Sequence, residues 1–179
     1  NKVSLNANFK ESTVNLGELN VFFPEFGASE NVTFDTKISG TLNNLSLQDF
    51  KLKSNRNTFI DGQFNLINLI DSKSKPFQMT GQIDHLTSKY SDLNRILPRI
   101  LGENIPTNLS TLGVFTLQGN TQIIGPSITA NFEASTELGS VVADLNLSKI
   151  ESIDDAQYKG TIQLKDFDLG TLINQPNFG

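Results

Sequence analysis

The side chains that could support acid, base or metal chemistry are few, and their spacing does not bring them together. His85 is the single histidine and the chain has no cysteine, so it offers neither a Cys–His pair nor a metal site of the usual His and Cys ligands. A Ser–His–Asp arrangement would have to use His85, and its neighbour Asp84 is expected to point to the opposite face of a strand. We therefore expect no enzyme activity and no cofactor.

Two acidic pairs are the remaining candidates for metal chemistry. Asp154 with Asp155, and Asp166 with Asp168, could offer oxygen ligands to Ca²⁺, but the spacing and terminal Glu of an EF-hand are missing. We interpret both pairs as solvated turns. The formal net charge of −5 argues against a nucleic-acid partner, because phosphate binding needs clustered Lys and Arg.

The strongest local signal is the alternation of apolar with polar residues. It runs, for example, through Val3, Leu5, Ala7 and Phe9, and a period of two predicts strands with one apolar and one polar face. Between Leu47 and Phe50, two polar residues stand where one would keep the phase. The sequence therefore predicts a β-bulge at positions 48–49.

The alternation places a set of large apolar side chains on one predicted face, which is the candidate binding surface. Its members are Phe34, Ile38, Leu45, Leu47, Phe50, Leu52, Phe64, Leu66, Phe77, Ile83, Leu117, Ile128, Phe132, Leu145, Leu147, Ile162 and Leu164. Two interpretations remain open from the residues alone. The face is either an ordinary core closed by helices or a second sheet, or a groove that stays partly open.

The elements that would position this face are mostly strands joined by hairpins. Strands are predicted over 32–42, 57–66, 112–123, 139–148 and 156–165, in addition to the alternating stretches already described. Helical spacing predicts short amphipathic helices over 15–23, 88–101 and 169–174, and a surface loop over 102–112. The predicted fold is mostly β: a curved antiparallel sheet of eight to ten strands with two or three short helices.

An internal repeat also organises the chain. Gly81 and Ile83 recur 79 residues later as Gly160 and Ile162, and Gly40 recurs at the same interval. We interpret the 179 residues as one segment of a larger repeat protein, with repeat units of about 1–74, 75–153 and an incomplete 154–179. Stacked repeats usually extend one continuous surface, so neighbouring repeats are expected partners.

Several stretches resemble the TamB family of AsmA-like envelope proteins. The similarity is carried, in matching order, by residues 40–47, 61–66, 93–98, 138–147 and 158–170. Each stretch is a common pattern of alternating residues with glycine turns. Their order and spacing together cover nearly the whole chain.

That resemblance implies a β-taco, a folded-over sheet whose apolar inner face is open to lipid. It implies a parent protein anchored in the inner membrane of a Gram-negative bacterium, extending through the periplasm and moving phospholipid towards the outer membrane. The expected partners are phospholipid acyl chains and a TamA-type outer-membrane barrel. The alternatives are a scaffold for outer-membrane protein assembly and a purely structural spacer. The predicted helices depart from a pure β-taco, since their apolar faces could fill the groove.

Overall fold

The described part of the chain forms a single antiparallel sheet. The computed structural model describes residues 3–20, 27, 30–69, 75–96, 107–149, 155–175 and 177. Within these ranges nine strands join one curved, unclosed sheet in sequence order, and the first and last strands are its two edges. The predicted fold class is therefore confirmed.

The strands lie close to where the alternation of residue types predicts them. They are β1 (Ser4–Asn15), β2 (Asn31–Thr41), β3 (Asn44–Ser54), β4 (Phe59–Ile67), β5 (Gln78–Lys89), β6 (Val114–Ile124), β7 (Ser127–Thr136), β8 (Gly139–Ser148) and β9 (Gln157–Lys165). The bounds predicted for β8 agree at both ends. The predicted end of β9 also agrees, and the other predicted bounds differ by one or two residues.

The helices lie where their spacing predicts them, and the last ends two residues earlier than predicted. Those described are α1 (Leu16–Asn20), α2 (Tyr90–Ile96), α3 (Leu169–Leu172) and a 3-10 helix at Thr107–Leu112. The ends predicted for the first two helices, at 21–23 and 97–101, lie outside the described residues. The prediction of a loop over 102–112 is wrong for residues 107–112, which form the 3-10 helix. No helix in the described ranges has the length and apolar character needed to cross a membrane.

Strand direction determines where the helices lie. The helices α1 and α2 begin directly after the last residues of β1 and β5, and α3 begins shortly after β9. Alternate strands of an antiparallel sheet run in the same direction, so all three helices lie beyond the same end of the sheet, here called the helix end. The opposite end, here called the hairpin end, carries the tight turns at residues 42–43 and 125–126.

Three β-bulges keep the apolar face in phase. The bulge predicted at Gln48–Asp49 is confirmed by a register shift between Leu47 and Phe50 and by φ of +50° at Asp49. Comparable shifts occur in β1 between residues 9 and 12 and in β5 between residues 83 and 86. Each bulge inserts one residue in one strand. The apolar residues before and after it therefore stay on the same face.

Among the described residues, the buried apolar cluster is small and lies at the helix end. Leu16, Val32 and Ile96 form a buried cluster, with Val14 and Leu52 packed beside it. This cluster attaches α1 and α2 to the ends of β1, β2 and β3. Nearby, the buried hydroxyls of Thr58 and Ser88 lie 2.6 Å apart and link β5 to the residue that precedes β4.

The 79-residue interval corresponds to a step of four strands. Gly81 lies on β5 and Gly160 on β9, while Gly40 lies on β2 and Gly119 on β6. The number of repeats and the boundaries between them stay predictions.

Candidate functional site

All the apolar residues predicted to share a face do share one, here called the apolar face. Residues that are directly opposite in an antiparallel pair lie on the same side of the sheet, as do residues two apart in a regular strand. Tracing the register from β1 to β9 with its bulges puts sixteen of the seventeen predicted side chains on one side. Phe77 precedes β5 and continues the alternation of that strand.

The apolar face contains an uninterrupted row of large side chains that crosses six strands. Each member lies directly opposite the next, and the row runs in the order Leu45, Leu66, Met79, Ile123, Ile128 and Leu147. Neighbouring strands are about 4.8 Å apart, so the row is about 24 Å long. Its first member follows the turn at residues 42–43, which places the row near the hairpin end.

The predicted residues are mostly partly buried. Leu45 is buried, fourteen others are partly buried, and Ile162 and Leu164 on β9 are 59% and 45% exposed. Sideways packing within the sheet contributes to this burial. The rings of Phe50 and Phe64 pack edge to face with centroids 5.3 Å apart, an arrangement that aromatic pairs prefer.

Two observations argue against the interpretation of the apolar face as an ordinary closed core. All nine strands belong to one sheet, so the described part of the chain provides no second sheet to cover it. The one buried apolar cluster among the described residues, around Leu16, Val32 and Ile96, includes no member of the six-residue row. Through this cluster, α1 and α2 cover the helix end next to β1–β3.

The opposite side, here called the polar face, carries paired charges. Lys37 Nζ lies 2.7 Å from Asp49 Oδ2, and Lys51 Nζ lies 3.9 Å from Asp61 Oδ2. The hydrogen bond from Lys37, reinforced by its charge, lowers the pKa of Asp49. The same contact raises the pKa of Lys37.

We expect the replacement Lys37→Met to raise the pKa of Asp49 towards its ordinary value. A carboxyl whose pKa is lowered in the folded state stabilises the fold above its unfolded pKa and loses that effect as pH falls through the folded pKa. Because both groups are exposed, the effect on stability is small. NMR titration of the carboxyl groups measures the shift, with Asp168 as an internal control. An unchanged pKa for Asp49 would contradict the pairing.

Asp168 is the N-cap of α3. Its Oδ1 accepts a hydrogen bond from the backbone N–H of Thr171 at 2.8 Å, and its Oδ2 accepts one from the Thr171 hydroxyl at 2.6 Å. The side-chain hydrogen bond and then the backbone one lower the pKa of Asp168. Of the acidic pairs considered for Ca²⁺, Asp154 lies outside the described residues. Within them, no group of three or more acidic or histidine side chains is placed to hold a metal ion.

The expectation that Asp84 and His85 face opposite sides is wrong. The bulge in β5 places both residues on the polar face, because His85 pairs with Asp61 while Asp84 Oδ1 accepts a hydrogen bond from Gln82 Nε2 at 2.7 Å. The imidazole Nε2 of His85 lies 2.7 Å from the Thr87 hydroxyl, and its ring packs 6.0 Å from that of Phe59. The two side chains therefore share a face without pairing with each other.

The polar face also carries a cleft that sequence reasoning missed. Its volume is about 460 Å³ and it extends across β3 to β7. Most of its lining consists of uncharged amide and hydroxyl side chains, namely Ser46, Gln48, Gln63, Asn65, Thr80, Gln82, Asn120, Gln122, Thr129 and Asn131. Among the seventeen predicted residues only Phe64 contributes to it. The polar lining residues are the ones that alternate with the apolar residues along the strands. The alternation that predicts the apolar face therefore also predicts that these polar residues share the opposite face.

A buried carboxylate at the helix end was also not predicted. Glu30 is 6% exposed, and its Oε1 lies 3.3 Å from Arg56 Nε and 4.0 Å from Arg95 Nη1. These contacts connect the residue before β2 with the β3–β4 turn and with α2. The positions of these three residues in the sequence do not predict that their side chains meet.

Comparisons with protein-family models, with curated proteins and with solved structures found no match to this chain.

Proposed function

We propose that this chain shelters phospholipid acyl chains on the apolar face of its sheet, as a segment of a periplasmic lipid-transfer protein anchored in the inner membrane of a Gram-negative bacterium. The observation that supports this proposal is the six-residue row from Leu45 to Leu147. It is continuous across the strands, and it lies outside the cluster buried under the helices.

The dimensions of the row fit an acyl chain. The hydrocarbon core of a bilayer is about 30 Å thick, so one extended acyl chain spans about 15 Å. The row is about 24 Å long and therefore offers contact along the full length of such a chain.

The energetics favour a continuous apolar surface. Exposure to water costs an acyl chain about 0.8 kcal/mol for each CH₂ group, which amounts to about 10 kcal/mol for a common chain. Contact with the apolar face removes part of that cost at every position along the row. Such a surface needs no ion pair or tight pocket, and the headgroup can stay in water.

Lipid extraction tests this function. The natively purified chain should release phospholipid into organic solvent, detected by mass spectrometry, and the same chain refolded without lipid should release none. A natively purified chain that carries no phospholipid would contradict lipid transfer and favour a spacer. Capture of an unfolded outer-membrane barrel protein without phospholipid would favour the assembly scaffold.

A further inference from the structure

The cleft across β3 to β7 on the polar face has an uncharged lining. None of the described residues that line it carries a charge, although 18% of the residues in the chain do. The cleft lies in the middle of the sheet, with β1 and β2 on one side and β8 and β9 on the other. It is therefore separate from both edges of the sheet and lies opposite the apolar face.

Two rows of neutral side chains cross this cleft. In the first row each residue lies directly opposite the next, in the order Gln63, Gln82, Asn120 and Asn131. All four residues are exposed. Neighbouring strands are about 4.8 Å apart, so the row is about 14 Å long.

The second row runs beside the first, two residues closer to the hairpin end. Its members, again directly opposite one another, are Asn65, Thr80, Gln122 and Thr129. Residues two apart in a strand are separated by about 7 Å. The two rows therefore form an elongated patch of amide and hydroxyl groups, about 14 Å long and about 7 Å wide.

Most amides in these rows have no partner within the part of the chain that the structure describes. No hydrogen bond to a described protein group is made by the side chains of Gln63, Asn65, Asn120, Gln122 and Asn131. Gln82 differs, because it donates to Asp84. Each unpaired amide offers two N–H donors and an acceptor oxygen, so the patch presents free donors and acceptors side by side.

Charged side chains of the polar face lie outside the cleft and are paired. Lys37 pairs with Asp49 towards β1, and Glu133 accepts a hydrogen bond from Gln118 at 3.2 Å on the side of the helix end. Asn is depleted in strands in general, so strand formation does not explain the concentration of amides in the cleft. The neutral, unpaired side chains are therefore a distinct region of this face.

We propose that this cleft binds a neutral, linear oligosaccharide. Sugar hydroxyls donate and accept hydrogen bonds as amides do, and an uncharged ligand needs no opposite charge in the lining. A phosphate or carboxylate ligand would require Arg or Lys, and none of the described lining residues is either. An extended peptide would require pockets for its alternate side chains, whereas the described lining includes one large apolar side chain, Phe64.

NMR of the side-chain amides tests this proposal, because each Asn and Gln has its own N–H₂ signals. The probes are cellotetraose, maltotetraose and chitotetraose. At least one should shift the signals of Asn120 and Gln122 with a dissociation constant of about 1 mM, since neutral hydrogen bonds exchanged for bonds to water each contribute little. Asn120→Leu removes a central amide and should weaken binding about tenfold.

The matched control is Asn6→Leu, the same change on the polar face of β1 and outside the cleft. It should bind the sugar as the unmodified chain does. Gln122→Leu repeats the test in the second row, so the result does not depend on one variant. The backbone amide spectrum shows whether each variant is folded.

No shift of the cleft amides by any of the three sugars at about 20 mM would overturn the site. Equal weakening in Asn6→Leu and Asn120→Leu would overturn its location. Shifts caused by the neutral peptide Gly-Ser-Gly-Ser but by none of the sugars would overturn the class of ligand. Phospholipid binding by the apolar face is measured separately, so failure of either proposal leaves the other standing.

Discussion

Replacing Phe132 by Arg will weaken phospholipid binding roughly 50-fold. Phe132 lies on β7 between Gly119 and Ala143, in the middle of the apolar face. A guanidinium group in contact with acyl chains costs about 2.5 kcal/mol or more on insertion scales, and 1.4 kcal/mol corresponds to a factor of ten in affinity. Titration with a fluorescent phospholipid measures the loss.

The matched control for this variant is Asn131→Arg. Asn131 is the preceding residue on the same strand and lies on the polar face, so the same added charge should leave phospholipid affinity within about twofold of the unmodified chain. Leu164→Arg tests the apolar face at a second position. Because Leu164 is 45% exposed, a larger polar group fits there without disturbing the fold. Equal loss of affinity in Phe132→Arg and Asn131→Arg would contradict a binding surface limited to the apolar face.

Replacing Gly119 by Ala will destabilise the fold by about 3 kcal/mol and lower the melting temperature by about 10 °C. Gly119 has φ of +155°, a backbone conformation that residues with a side chain rarely adopt. A Cβ added there would collide with the carbonyl oxygen of Asn131 and lie 2.6 Å from Phe132 Cα. Both obstacles are backbone atoms of β7, so relief requires a shift of the strand itself.

Gly81→Ala is the control for this prediction. A Cβ at Gly81 would lie 2.8 Å from Cδ1 of the Phe64 ring, and a side chain can turn away where a strand cannot. We expect a smaller loss, of about 1 kcal/mol. Thermal unfolding followed by circular dichroism compares the two variants. An equal loss of stability in both would show that the backbone approach of β6 and β7 is not what requires glycine at position 119.

The residues that share the apolar face were predictable because the alternation of apolar and polar residues is a strong signal in strands. Leu145 and Leu147, for example, are separated by one polar residue and must share a side once the segment is extended. The bulge at Gln48–Asp49 was also predictable, since two polar residues break the alternation there.

The same signal was present in β5 and was missed. Asp84 and His85 separate Ile83 from Leu86, as Gln48 and Asp49 separate Leu47 from Phe50. Recognising this bulge would have placed Asp84 and His85 on the same face. The bulge of β1 gives a weaker signal, because Ser12 after it is not apolar.

The position of the helices could not be predicted from their own residues. Their amphipathic spacing fits a helix that fills a groove as well as one that closes the end of a sheet. The deciding facts are tertiary: α1 starts immediately after β1, and its Leu16 packs with Val32 of β2 and Ile96 of α2. The ion pairs of Glu30 with Arg56 and Arg95 depend on the same arrangement, because they join three segments that are distant in sequence.

An uncovered apolar face that contacts lipid is the central claim, and photo-crosslinking tests it most directly. A photoreactive phenylalanine at position 132, illuminated in the cell envelope, should capture phospholipid, and the same group at position 131 on the polar face should not. Phe50 offers an independent position on β3. Lipid adducts at 132 and 50 but not at 131 are the predicted result. Absence of lipid at both apolar positions, or equal capture at 131, would contradict the claim.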